Sequence, residues 1–232
     1  SRPALGTAIL ELFGLTIASF GMTEQAADRP VRVIHTHPAS HATYYPGSES
    51  MAIKIVVDAA TDLILGVQIV GGAGVDKRID VLATATSAGL TASALADLEL
   101  AYAPQYGSAK DPINMLGYVS RNRRDGLSRS IQWHELADEL EAGAVLVDVR
   151  TLKEFARGAI PNAVNIPLDE LRENTDELGA RRVIVHCQVG QRGHAAASLL
   201  TQLGFDAVNL DGGYLTWFAG HRSRQPQPSG AR

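Results

Sequence analysis

The stretch Val183-Ile184-Val185-His186-Cys187-Gln188-Val189-Gly190-Gln191-Arg192 decides how the second half of this chain is read. An apolar, β-branched run ends at Cys187, a short polar loop follows, and Ala195, Ala196, Leu199 and Leu200 then recur at helical spacing. The pattern predicts a strand, a loop and a helix N-terminus. That geometry favours a thiolate, because loop N–H groups turn inward and the helix end adds partial positive charge. The thiolate is the nucleophilic form of cysteine. Cys187 is the only cysteine in 232 residues. A lone cysteine is commonly a small buried hydrophobe, but a position between a strand and Gln-Val-Gly-Gln-Arg outweighs that reading.

Working outward, Trp133 to Leu140 has a helical pattern and Ala144-Val145-Leu146-Val147-Asp148-Val149 is a continuous apolar strand. A helix surrounds Phe155, Ala163 to Pro167 is extended, and a helix is expected near Asp169 to Asn174. Ala207-Val208-Asn209-Leu210 is a last strand, with a helix near Tyr214 to Phe218. Strands alternating with helices predict an α/β unit over residues 129–221 with a mostly parallel sheet. Its active loops belong at strand C-terminal ends, where Cys187 lies. His186 precedes Cys187 on the strand, so its side chain takes the opposite face and is not expected to act as general base. Residues 222–232 are polar and read as a flexible tail.

Residues 1–120 have another rhythm. Thr7 to Phe13 and Leu15 to Phe20 flank Gly14 as a turn-bounded pair, Thr23 to Asp28 suits a short helix, and Val31 to Ile34 is a strand. Met51 to Asp58 and Leu63 to Val70 form a hairpin around Ala60-Thr61-Asp62. Val75 to Ala88 and Ser93 to Leu98 read as helices, and Asp111-Pro112 caps a third. This predicts an α+β unit, an antiparallel sheet first and helices after. Arg121 to Gly126 has no apolar residue, and residues 121–128 read as a linker.

Composition narrows the function. A net charge of −4 argues against a nucleic-acid binder. One cysteine excludes an internal disulfide and a thiolate-rich zinc site, and fits a reducing, cytoplasmic setting. No apolar run reaches membrane-spanning length, so no membrane partner is expected. His35, His37 and His41 invite a metal, but no acidic residue lies between them and none is expected. Gly71-Gly72-Ala73-Gly74 lacks the spacing of a dinucleotide fingerprint and reads as a turn. The chain opens on Ser1 without Met, which suggests part of a longer protein.

Two resemblances follow. Residues 129–221 resemble a single-domain rhodanese through Leu146-Val147-Asp148-Val149-Arg150, Glu154-Phe155 with Gly158-Ala159-Ile160-Pro161-Asn162-Ala163, Asn165-Ile166-Pro167, the Cys187 loop, and Leu210-Asp211-Gly212-Gly213 with Trp217. The loop counts six residues from Cys187 to Arg192, as in sulfurtransferases; the related phosphatases carry one more. Ala159 departs from a common family His. The resemblance implies that Cys187 accepts sulfane sulfur as a persulfide, with Gln188, Val189, Gly190, Gln191 and Arg192 as the anion-binding loop. It implies support from Asp148, Arg150 and Glu154, with Arg150 paired to Glu154, and it makes Asp211-Gly212-Gly213 a turn and helix start.

Residues 1–120 are similar to the dimerisation domain of pyridine nucleotide-disulfide oxidoreductases, through Ala73 to Leu82, Ala101-Tyr102-Ala103-Pro104-Gln105-Tyr106, Lys110 to Asn114 and Gly117. The nearest subgroup is the coenzyme A-disulfide and NADH-dependent persulfide reductases with a fused rhodanese. This implies a homodimer through residues 1–120 and FAD and NAD domains beyond this chain. It also implies FAD, NAD(P)H and coenzyme A as cofactors of the whole enzyme, with none in this portion. Substrates and partners become low-molecular-weight thiols, persulfides or polysulfides. Tyr44 and Tyr102 fall on family tyrosines that reach across the dimer toward the partner's redox cysteine and coenzyme A. The alternative expectation is a non-catalytic dimerisation and sulfur-docking module.

Overall fold

The computed structural model describes residues 4–179 and 182–224. The chain divides into two compact units, Ser1–Gly126 and Leu127–Arg232.

The first unit is built on an antiparallel sheet in the order β1-β2-β5-β4-β3, formed by β1 (Ala8–Leu12), β2 (Leu15–Gly21), β3 (Val31–Thr36), β4 (Met51–Asp58) and β5 (Ile64–Gly71). Alternate residues of the central strands, among them Ile53, Ile55, Val67 and Ile69, are buried, as a period of two requires when one face is covered. The cover is α1 (Val75–Ser87), which supplies Ile79 and Leu82, and α2 (Pro112–Arg124), which supplies Ile113 and Leu116. Asp111 and Asn114 form a reciprocal capping box at the start of α2. Gly117 lets α2 approach the backbone of Ala96, where a Cβ would collide with the Ala96 nitrogen.

The second unit has a five-stranded sheet in the order β6-β10-β9-β7-β8, with every pairing parallel. Its elements in chain order are β6 (Ser130–Ile131), α3 (Leu136–Glu141), β7 (Val145–Asp148), α4 (Leu152–Ala156), β8 (Val164–Asn165), β9 (Val183–His186), α5 (Gln191–Gln202), β10 (Ala207–Leu210) and α6 (Gly213–Arg224). Both sheet faces are covered, which is why the central strands read as near-continuous apolar runs. Val147, Val183 and Val185 pack with Ala196 and Leu200 on one face, while Leu146, Ile184 and Val208 pack with Ile131, Leu136 and Trp217 on the other.

The structure corrects several boundaries. Arg121 to Arg124, expected in the linker, are the last turn of α2, where arginines complement the helix dipole. No α-helix forms from Asp169 to Asn174; turns lead instead into a 3-10 turn at Thr175–Leu178. That segment buries Leu171 alone, too little to offset the cost of nucleating a short helix. The α3 helix starts three residues later than Trp133, after a turn in which Gln132 N donates to the Glu135 carboxylate. Glu24–Ala26 and Ser93–Asp97 are 3-10 turns, and Thr23 makes no side-chain cap. Arg222 to Arg224, assigned to the tail, belong to α6; residues 225–232 lie outside the described residues. No helix among the described residues is long and apolar enough to cross a membrane.

Candidate sulfur-transfer site

Cys187 leaves the C-terminal end of β9 fully buried, and α5 begins at Gln191. Between them the chain reverses through Gly190, which takes a left-handed backbone (φ 92°). Neighbouring elements fix the loop. At the start of α6, Tyr214 N donates to the Cys187 carbonyl (2.8 Å) and Leu215 N to the Gln188 carbonyl (3.1 Å). Gly213 (φ 63°) sits so close beneath that a Cβ would strike the Cys187 carbonyl oxygen. Asn209 Nδ2 on β10 donates to the Gly190 carbonyl (3.1 Å). Among the described residues, the N–H groups of Gln188, Val189 and Gly190 find no protein acceptor. Unpaired loop N–H groups are donors of the kind that bind anions.

The polar residues behind the loop form a second layer. Asp148 and His186 are register partners on adjacent strands, both fully buried. Arg150 Nε and Nη2 donate to the Asp148 carboxylate (3.0 and 2.7 Å). Arg150 also donates to the Gly158 carbonyl (2.7 Å) and to Gln188 Oε1 (3.0 Å), and its guanidinium lies 4.3 Å over the Tyr214 ring. A buried cation held from several directions is a rigid brace. Burial pushes the His186 pKa down, and the neighbouring Asp148 carboxylate opposes the shift only in part. Its Nε2 is 3.6 Å from Asp148 Oδ2.

The expected pairing of Arg150 with Glu154 is not formed. Arg150 turns inward to Asp148, whereas Glu154 turns to Arg192 through two bonds of 2.6 and 2.8 Å. The reason is local. Glu154 is the third residue of α4 and completes a capping box with Thr151, which holds its carboxylate away from Arg150 and toward α5. The Arg192 guanidinium holds the Glu154 carboxyl down at about 2, against the opposing effect of partial burial. Arg192 is raised in turn, by Glu154 first, with the Cys187 sulfur contributing. Gln191 is exposed and Val189 half-buried. Sequence reasoning overlooked Asn209, although a polar residue in the apolar run Ala207-Val208-Asn209-Leu210 was the available signal.

In the first unit, Tyr44 and Tyr102 come together from sequence positions 58 apart, with hydroxyls 3.1 Å from each other. Both are exposed. The Tyr102 pKa is raised, chiefly by its bond to Tyr44. The two loops are joined by Ala42 N donating to the Gly107 carbonyl (2.9 Å). Buried Arg78 anchors them from below, donating to the Ser40 carbonyl (2.9 Å) and to Asp111 (2.8 Å). In the Gly71–Gly74 turn, Ala73 N donates to the Glu49 carboxylate (2.7 Å). No group of three or more His, Cys, Asp or Glu able to hold a metal occurs among the described residues.

Comparison with known proteins divides the chain along the same line. Residues 8–111 match the pyridine nucleotide-disulphide oxidoreductase dimerisation domain, and residues 132–219 match the rhodanese-like domain. A coenzyme A disulfide reductase of Staphylococcus haemolyticus is 39% identical over 119 residues, covering 51% of this chain and 27% of that protein. The crystal structure of reduced Bacillus anthracis CoADR-RHD superposes with a TM-score of 0.91 at 42% identity, covering 95% of this chain and 40% of that one. A NAD-dependent persulfide reductase from A. fulgidus gives a TM-score of 0.83 at 37% identity, covering 92% of this chain and 39% of its own. The chain thus spans two-fifths or less of these relatives.

Proposed function

Because this chain joins a pyridine nucleotide-disulfide oxidoreductase dimerisation domain to a rhodanese-like domain, as a coenzyme A disulfide reductase with a fused rhodanese does, we propose that its second unit is a sulfurtransferase working through Cys187. The thiolate attacks the outer sulfur of a donor, forms a Cys187 persulfide and expels the rest of the donor with the electrons of the broken S–S bond. The N–H groups of Gln188, Val189 and Gly190, which have no protein acceptor, receive the terminal sulfur anion, and Arg192 closes the loop in the first turn of α5. A thiol acceptor then takes the sulfur and restores Cys187. The observation that carries this reading is the six-residue loop itself, with Cys187 at its floor and its carbonyls fixed by α6. Turnover of sulfane sulfur by wild-type chain, absent in Cys187→Ser, is the expected result; equal turnover in the two would reject it.

We further propose that the whole protein is a cytoplasmic homodimeric reductase of coenzyme A disulfide, coenzyme A persulfide or polysulfide. FAD and NAD(P)H, held by domains outside residues 1–232, would supply the electrons. On this reading the first unit brings two copies together, and the Tyr44–Tyr102 pair faces coenzyme A and the redox centre of the partner copy. A hydrogen-bonded phenol pair on the surface is suited to give a proton or hydrogen bond to a thiolate.

A further inference from the structure

Both arginines beside the Cys187 loop are already held by a carboxylate. Arg150 is buried against Asp148, and Arg192 is gripped by both oxygens of Glu154. The loop side chains Gln188, Val189, Gly190 and Gln191 carry no charge. We infer that Glu154 sets the donor specificity of this site: by occupying Arg192 it leaves the loop suited to alkyl persulfides and disfavours thiosulfate. The inference rests on the sulfurtransferase reading of Cys187.

The chemistry of the two donors makes the distinction. An alkyl persulfide R–S–SH delivers its outer sulfur to the Cys187 thiolate, forming Cys187–S–S⁻; the inner sulfur leaves with the bonding pair and takes the proton as R–SH. One negative charge enters and one remains, which loop N–H groups and the α5 N-terminus can hold. Thiosulfate delivers the same sulfur and releases sulfite, so three negative charges gather within the loop: one on Cys187 and two on the donor. A sulfonate at that point calls for a guanidinium with free donors. Arg192 closes the six-residue loop in the first turn of α5, but it is engaged by Glu154 through two of its nitrogens. Lys153 and Arg157 are exposed on the segment that carries Glu154 and are the other cations close to it in sequence.

Glu154→Gln is the informative variant, because glutamine can still complete the capping box with Thr151 while removing the charge that holds Arg192. Steady-state rates with glutathione persulfide and with thiosulfate, cyanide as acceptor, are measured for wild type, Glu154→Gln and Cys187→Ser. Wild type is expected to favour glutathione persulfide in kcat/KM. Glu154→Gln is expected to shift the ratio toward thiosulfate by about tenfold or more, the size of one charge-assisted hydrogen bond, through a lower thiosulfate KM rather than a higher kcat. An unchanged ratio in a folded Glu154→Gln, or a wild type that prefers thiosulfate, overturns the inference. Undiminished turnover in Cys187→Ser would instead overturn the sulfurtransferase reading beneath it.

Discussion

In residues 127–224 the chemistry is enclosed: Cys187 is fully buried, its loop is tied to α6 and β10, and Asp148, Arg150, Glu154 and Arg192 are all paired within the unit. In residues 4–126 the notable groups face outward. Tyr44 and Tyr102 meet at the surface, and the β1–β2 hairpin carries Ile9, Leu10, Leu12 and Phe13, with Phe13 95% exposed at its tip. In the second unit the charged groups around Cys187 are held by partners within the unit itself. A surface of exposed phenols and apolar side chains is equipped to act on something brought to it. The units also differ in how they are held. The first rests on Arg78–Asp111 beneath two joined loops, the second on Asp148–Arg150 beneath one.

If the contrast is right, the largest effect belongs to the nucleophile. Cys187→Ser should lower sulfur transfer by at least roughly 10³-fold without changing the thermal melting of either unit. Asp148→Ala should come next. It leaves Arg150 charged and buried without its partner, a loss of about 3–5 kcal/mol read as a lower melting temperature of the second unit and loss of transfer. Arg78→Met is the counterpart: it removes the buried cation from Asp111, which keeps Ile113 N and the more distant Lys77, so it should lower the melting of the first unit by less than Asp148→Ala lowers that of the second, with turnover at Cys187 preserved. Coupled loss in both variants would erase the distinction between the units.

Gly213→Ala should be milder in energy yet specific in place. The left-handed backbone alone costs about 1–3 kcal/mol, and the new Cβ presses on the Cys187 carbonyl, so transfer should fall with the melting temperature. The smallest effects concern titration. Tyr44→Phe should bring the Tyr102 pKa down toward that of an ordinary tyrosine, seen by ultraviolet titration, with no change in sulfur transfer. The Glu154 carboxyl is depressed on folding, so its contribution to stability is complete above its ordinary pKa and is lost as pH falls through about 2. The stability gap between wild type and Glu154→Gln should therefore be flat at neutral pH and close in acid.

Much of the molecule is legible in the sequence, for reasons that differ by element. The apolar strands around Val147 and Val185 and the Asp111-Pro112 helix start carry strong local signals, and the structure places them as expected. The Cys187 loop is legible because a polar break between a β-branched run and an alanine-rich helix marks the point where a strand ends and a helix begins. The partner of Arg150 is not legible. Sequence spacing offers Asp148 and Glu154 almost equally, and only the capping box at Thr151 turns Glu154 toward Arg192. Gly213 reads as an ordinary helix start, because its contact with the Cys187 carbonyl joins residues far apart in the chain. The Asp169 segment fails for the opposite reason: its local pattern is helical, but it has only Leu171 to bury. The meeting of Tyr44 with Tyr102 depends on tertiary folding that no local pattern records.

The central claim is that Cys187 carries sulfur. Its most direct test is intact-protein mass spectrometry of the purified chain after treatment with glutathione persulfide, followed by peptide mapping. The predicted result is a mass increase of one sulfur atom at Cys187, removed by cyanide or by excess thiol and absent in Cys187→Ser. A wild-type chain that gains no sulfur at Cys187, while remaining folded, would contradict it.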